Sequence, residues 1–209
     1  MTIPFFPNTG DGTHCFQAAL MMTLAIHMPD RKFTYEELDA ISQKLPGKWT
    51  WPTAAMLWMM ENGLDVKLIE EFDYPAFVKD GEHYLIERFG EEVGRSQAEH
   101  SDLAREIDIS RRFMEHAPLD YRSPTLADIK KQLRRDAVVI VNVNAAALHG
   151  SVGYSGHFVV ICDVKKKSVV LHDPGLPAFP AFEVSHARFE AAWAYPTERD
   201  RNLMAISRR

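Results

Sequence analysis

The chain is poor in cysteine: only Cys15 and Cys162 occur in 209 residues. Two cysteines make no disulfide framework. The N-terminus, Met1-Thr2-Ile3-Pro4, does not open a basic region followed by a long apolar stretch. Free thiols in a cytoplasmic protein without a signal peptide are therefore expected. No window approaches 18 uncharged apolar residues, so no membrane span is expected. An excess of one charge is missing too. The formal net charge is -5, which gives no electrostatic case for nucleic acid or an anionic membrane as partner. The basic cluster Lys165-Lys166-Lys167 lies between two apolar runs and reads as a hairpin turn. Repeats and low-complexity stretches are absent. What remains is ordinary for a globular chain, with 46% apolar residues, enough to bury a core without staples. One domain over residues 1–209 is expected.

The first 14 residues are loop-like, with Pro7, Gly10 and Gly12 among small polar residues. Cys15 to Met28 contains strong helix formers and no Gly or Pro, and is apolar nearly all round, which predicts a buried helix ended by Pro29-Asp30. Thr34-Tyr35-Glu36-Glu37 is a capping-box pattern and starts a second helix. A third is predicted from Pro52 to Asn62, stopped by Gly63, and Leu64 to Ile69 reads as a strand. From Pro75 to about Ala117 the pattern is helical and charge-rich, with breaks expected near Gly90 and Gly94; this is read as a helical insertion. After Pro118 come a short helix from Thr125 to Arg135, strands over Ala137–Val143, His157–Val164 and Ser168–Leu171, a helix from Ser185 to Trp193 and a strand near Asn202–Ile206. The strands on either side of the lysines form an antiparallel hairpin. Helices first and an antiparallel sheet last is the α+β pattern.

Cys15 follows a glycine-containing loop and opens a helix. The free N–H groups and partial positive charge there favour thiolate over thiol. A small buried hydrophobe is the plainer reading of the same cysteine. His157, after Gly156, begins an apolar strand, where an imidazole is held rigidly enough to act as a general base. A strand-edge histidine with one satisfied hydrogen bond is its plainer reading. Asp173 ends the returning strand 16 positions later, and the antiparallel pairing brings it beside His157, where it would fix the tautomer and stabilise the charge. A turn aspartate before Pro174-Gly175 is the alternative. His172 points to the opposite face and takes no catalytic role. Cys162 is expected in the core by the same alternation. Asn142 and Asn144 fall on one face near a strand end, where capping of the next loop is the simpler use. Trp49, Trp51, Trp58, Met56, Met59 and Met60 would suit the lining of a groove, and core packing is their plainer reading. Each of the three site signals is weak alone; in the order Cys, His, Asp, with 142 positions between the first two, they are stronger together.

The segment Asp11 to Leu20, with Gly156 to Ile161 and His172-Asp173-Pro174-Gly175, resembles the C39-like branch of papain-fold cysteine peptidases. Phe189 to Trp193 resembles the closing segment of that family. The resemblance spans roughly residues 5 to 28 and 137 to 195, and the helical insertion at about 75–117 has no counterpart. It implies a papain-like fold with Cys15 as nucleophile, His157 as base and Asp173 as orienter, and neither metal nor cofactor. Papain-like enzymes usually carry a Gln six residues before the cysteine, as an oxyanion donor; here Thr9 stands there. A loop one residue longer would let the amide of Asn8 do that work with the Cys15 N–H. Asp11 is a poor substitute, because a carboxylate repels an oxyanion. Phe16, where the family commonly has Gly, is expected to narrow the cleft.

Three classes follow. The first is thiol-based acyl chemistry on a peptide or amide substrate, leading to hydrolysis by a peptidase or to acyl transfer of the transglutaminase type. The second is a catalytically idle peptide-binding module on the same fold. The third is a metal hydrolase built from His14, Cys15, His149, His157, His172 and Asp173, which lacks any CxxC or HxxxH spacing.

Overall fold

The structure is a computed structural model that describes residues 1–116 and 119–209. Ala117, where the helical run was expected to end, and Pro118 lie outside the described residues. After an irregular opening segment come helices α1 (Cys15–His27), α2 (Tyr35–Ser42) and α3 (Thr53–Glu61), then strand β1 (Leu64–Glu70). Helices α4 (Tyr74–Asp80), α5 (Glu82–Phe89), α6 (Glu91–Glu99) and α7 (Leu103–His116) lead to a two-residue strand, β2 (Leu119–Asp120). The rest of the chain forms α8 (Leu126–Leu133), β3 (Val138–Asn144), α9 (Ala145–His149), β4 (Gly156–Val164), β5 (Ser168–Asp173), β6 (Phe179–Ser185), α10 (His186–Trp193) and β7 (Asn202–Arg208).

Local chemistry explains most boundaries. Thr34 caps α2 in both directions: its hydroxyl accepts from the Glu37 N–H at 3.2 Å, and the Glu37 carboxylate accepts from the Thr34 N–H at 2.8 Å. Gly81, at φ 52°, serves as the C-cap of α4 and the N-cap of α5. Gly90, at φ 84°, separates α5 from α6 as expected. Gly94 does not break the helix. It sits inside α6 at a point of backbone contact, where a Cβ would lie 2.4 Å from the Ile86 Cα of α5. Glycine is there for proximity to another backbone, not for a turn.

The strands form one mixed sheet in the order β2-β1-β7-β3-β4-β5-β6. Only β1 and β2 run parallel among these pairs; all others are antiparallel. The early strand β1 pairs with the last strand along its whole length, from Leu64↔Arg208 to Glu70↔Asn202, so the helical half contributes to the sheet. The β4–β5 hairpin turns through the three lysines, with the Lys165 N–H donating to Ser168 O at 2.9 Å. A register shift between Ile161 and Asp163 places Cys162 at a bulge. Simple alternation fails there, and Cys162 is half-buried instead of sitting in the core.

Alternate residues of the sheet feed two hydrophobic clusters. Ile140, Phe158, Val160, Met204 and Ile206 pack against α1 and α3 on one face, with Met56 and Met59 at the centre. Val139, Val141, Val159, Ile161, Val169 and Leu171 pack against α8, α9 and α10 on the other, where Phe189 and Trp193 are buried. Phe77, Tyr84 and Leu85 of the helical segment form a small third cluster. The sheet thus lies between two helical layers, and the elements carrying Cys15 and His157 meet where α1 packs on the start of β4.

Candidate active site

The loop before α1 is organised by Asn8. Its backbone N–H donates to Pro174 O at 2.7 Å, tying the loop to the turn after β5. Its side-chain oxygen accepts from the N–H groups of Thr9, at 2.9 Å, and His14, at 2.7 Å. That oxygen is committed inward, so the amide nitrogen is the end left over, and among the described residues nothing accepts from it. Asp11 faces its own loop and accepts from the Thr9 hydroxyl at 2.5 Å and from the N–H and hydroxyl of Thr13. These bonds, the Thr9 hydroxyl foremost, hold its carboxyl below the usual range. His14 contacts Asp39 of α2 through Nε2 at 3.1 Å and the Thr9 hydroxyl through Nδ1 at 2.6 Å.

Cys15 is the first residue of α1, and it is half-buried. His157 and the N–H groups of Phe158 and Phe16 lie near its sulfur and favour the thiolate. His157 Nε2 donates to Asp173 Oδ1 at 2.6 Å, which leaves Nδ1 as the ring nitrogen for the sulfur. Strand register explains the encounter. Val160 pairs with His172, so Asp173 stands one residue beyond that pair and reaches back diagonally to His157 on the same face. Asp173 is only 1% exposed, and its Oδ1 also accepts from the Gly175 N–H at 2.8 Å. Gly175 leaves no room beside the pair: a Cβ there would lie 2.9 Å from Asp173 Oδ1 and 3.4 Å from His157 Nε2.

The electrostatics follow from these contacts. Burial raises the Cys15 thiol, but the hydrogen bond and charge of His157, with the two N–H groups, outweigh it and bring the thiol below its ordinary value. Burial disfavours the His157 cation, yet Asp173 and the sulfur together lift it to about 10. Burial likewise works against the Asp173 anion, and the bonds from His157, Gly175 and His149 reverse this and lower it. All three shifts favour thiolate, imidazolium and carboxylate. Cys162 has no such company, and burial pushes it up to about 11.

The sequence-predicted residues Cys15, His157 and Asp173 are therefore brought together, with the sulfur near the imidazole and His157 hydrogen-bonded to Asp173, and Asn8 lies on the adjoining loop. Phe16 departs from expectation. It does not narrow a cleft but turns into the core, 1% exposed, against Phe158 with ring centroids 4.9 Å apart. His172 is held by Ile3 O and the Ala181 N–H, each at 3.0 Å, on the face away from Asp173. Asn144 caps α9 by accepting from the Ala146 N–H at 3.1 Å. Sequence reasoning grouped His149 with His157 and Asp173 only as a metal ligand and missed it as a hydrogen-bond partner: its Nε2 donates to Asp173 Oδ2 at 2.7 Å. The five-residue helix that carries it gave no periodicity to read. Among the described residues no group of three or more His, Cys, Asp or Glu could hold a metal ion. No described helix is long and apolar enough to cross a membrane. A cavity of about 330 Å³ lined by Met60, Lys67, Gln132, Arg135 and Ala205 contains none of the site residues.

No protein-family model matches the chain, and no curated protein matches it. Among solved structures, it is similar to the crystal structure of the peptidase domain of Streptococcus ComA, a bi-functional ABC transporter involved in a quorum sensing pathway. The TM-score is 0.52 at 12% sequence identity, over 100% of this chain and 100% of that one. At that identity the likeness is one of fold: the chain has an α+β architecture resembling that of a peptidase domain.

Proposed function

We propose that the chain is a cysteine peptidase-like hydrolase acting on a peptide or amide bond, built as a single papain-like domain with a helical insertion at about 75–117. The reading rests above all on the chain of contacts from the Cys15 sulfur through His157 to the buried carboxylate of Asp173 at 2.6 Å. The fold likeness to a peptidase domain agrees with it. In the proposed reaction the Cys15 thiolate attacks the substrate carbonyl carbon. The oxyanion is received by the Cys15 N–H and the Asn8 side-chain amide. His157, as imidazolium, gives its proton to the leaving nitrogen as the C–N bond breaks, leaving a thioester on Cys15. Neutral His157 then takes a proton from water as its oxygen attacks the thioester, and the acid product leaves with thiolate and imidazolium restored. Asp173 holds the imidazole in the tautomer that keeps Nδ1 toward sulfur and stabilises its charge without taking the proton.

Iodoacetamide tests this without a known substrate. Cys15 is expected to alkylate at near-neutral pH far faster than Cys162, whose raised pKa makes it an internal control. Cys15→Ala is expected to keep the fold and abolish hydrolysis of any peptide or amide substrate found. Equal alkylation rates for the two cysteines, or turnover by C15A, would overturn the proposal and leave an idle module on the same fold.

A further inference from the structure

Asp173 has a second imidazole partner that the reaction above leaves unused. Its carboxylate is a buried anion, and such a group is tolerated only when its oxygens are satisfied. Oδ1 accepts from His157 and Gly175. Oδ2 accepts from His149 Nε2 at 2.7 Å, and among the described residues it has no other partner. Because an ionised carboxylate only accepts, His149 is the donor in this bond.

His149 is not a loose surface side chain that happens to touch the site. Its ring stacks on Phe182, with centroids 5.5 Å apart and an interplanar angle of 8°, and Phe179 flanks it at 5.4 Å. It ends a helix capped by Asn144 and stopped by Gly150 at φ 75°, and the Arg188 guanidinium of α10 packs at Gly150. Helix, sheet edge and carboxylate therefore hold the ring from three sides. We infer, on the reading of the site given above, that His149 is a positioning residue: its Nε2–H pins Asp173 Oδ2 and so keeps Oδ1 in line with His157 Nε2. Without it the carboxylate turns about its own bond toward water, and the imidazole loses its fixed orientation. The proposed functional unit is then a four-membered relay of contacts, Cys15, His157, Asp173 and His149, with its outer end 34% exposed and its carboxylate 1% exposed.

The test compares His149→Phe, which keeps the stacked ring and loses the donor, with His149→Gln, whose amide reaches the same oxygen. Two signals are read in the full chain: the downfield proton resonance of the short His157–Asp173 bond, and the rate of Cys15 alkylation by iodoacetamide. H149F is expected to broaden or shift the resonance and to slow alkylation about tenfold, the equivalent of about 1.4 kcal/mol. H149Q is expected to restore both. A purely structural histidine would lower the melting temperature in H149F while leaving the resonance and the rate per folded molecule unchanged, and that result overturns the inference. If H149F does not fold, His149→Asn, too short to reach, is read against H149Q in the same way. Slow Cys15 alkylation in the unaltered protein defeats the hydrolase proposal itself. Fast alkylation that is indifferent to H149F defeats only the role of His149.

Discussion

Gly175 offers a sharp test of how the site is held, because it lies beside the ion pair without contributing a side chain to it. In Gly175→Ala the new methyl would stand 2.9 Å from Asp173 Oδ1, 3.4 Å from His157 Nε2 and 3.5 Å from His157 Cε1. The first distance is closer than real Cβ contacts allow, so the carboxylate or the turn must yield by a few tenths of an ångström. The His157–Asp173 bond starts at 2.6 Å, and such a shift stretches it toward the length of an ordinary neutral hydrogen bond. Bonds to charged groups contribute about 1.5–3 kcal/mol and neutral ones about 0.5–1.5, so about 1 kcal/mol of support for the imidazolium is lost. At 1.36 kcal/mol per pH unit, the His157 pKa falls by about 0.7 of a unit. The thiolate–imidazolium form loses up to about fivefold against the neutral pair. The assay is an NMR titration of the His157 ring alongside iodoacetamide alkylation of Cys15, with Cys162 as control. Gly175 is not in the left-handed region, so backbone strain does not confuse the result. A folded G175A protein with an unchanged His157 titration and unchanged Cys15 reactivity would refute the claim that the contact at Gly175 maintains the pair.

Asn8→Ala should separate oxyanion support from thiol activation. Alkylation at a saturated carbon develops no oxyanion, so its rate should stay within a few-fold, while amide hydrolysis falls about 10²–10³-fold; parallel losses in both would assign Asn8 to the nucleophile instead. Glu106 is buried, and burial pushes its carboxyl up to about 7 against a hydrogen bond from Thr53. The folded state therefore binds this proton more tightly than the unfolded chain, and stability is lost as pH rises from 4.5 through about 7. Glu106→Gln removes the buried charge and should stabilise the protein by up to about 3 kcal/mol at pH 8 and by almost nothing at pH 4, read by urea melts; a pH-independent difference would count against the buried-charge account.

How far the fold was legible depended on whether its signals were local. The capping box at Thr34 and Glu37, the lysine turn between β4 and β5 and the Gly90 break each lie within a few residues, and each is found where the sequence places it. Strand β6 was missed because Phe179-Pro180-Ala181-Phe182 has a proline and no clean alternation; it is an edge strand, where proline is tolerated. Gly94 and Cys162 were misjudged for reasons that lie outside their own segments: the backbone of α5 in one case and a bulge against β5 in the other. Of the site residues, Asp173 could be placed near His157 by counting along a hairpin. His149 could not be placed, because its meeting with Asp173 depends on a short helix between two strands and on the stacking of Phe182 beyond the next turn.

The residue following each of two candidate site residues has a common role. Phe16 follows Cys15, Phe158 follows His157, and the two rings pack against each other in the core with centroids 4.9 Å apart. His157 alternates with Val159 and Ile161, which face α8, α9 and α10, whereas Phe158 alternates with Val160, which faces α1. The nucleophile candidate and its base thus belong by alternation to different layers, and the sulfur meets the imidazole at the end of the sheet. One residue along each element the phenylalanine pair packs in the core, and rigid core packing of this kind constrains the neighbouring backbone. The N–H groups of these same two residues also favour the thiolate, and they sit on the backbone next to the packed rings. The bulky residue at position 16, unusual beside the resemblance in the sequence, is therefore a core residue that ties the start of α1 to β4 through its packing on Phe158.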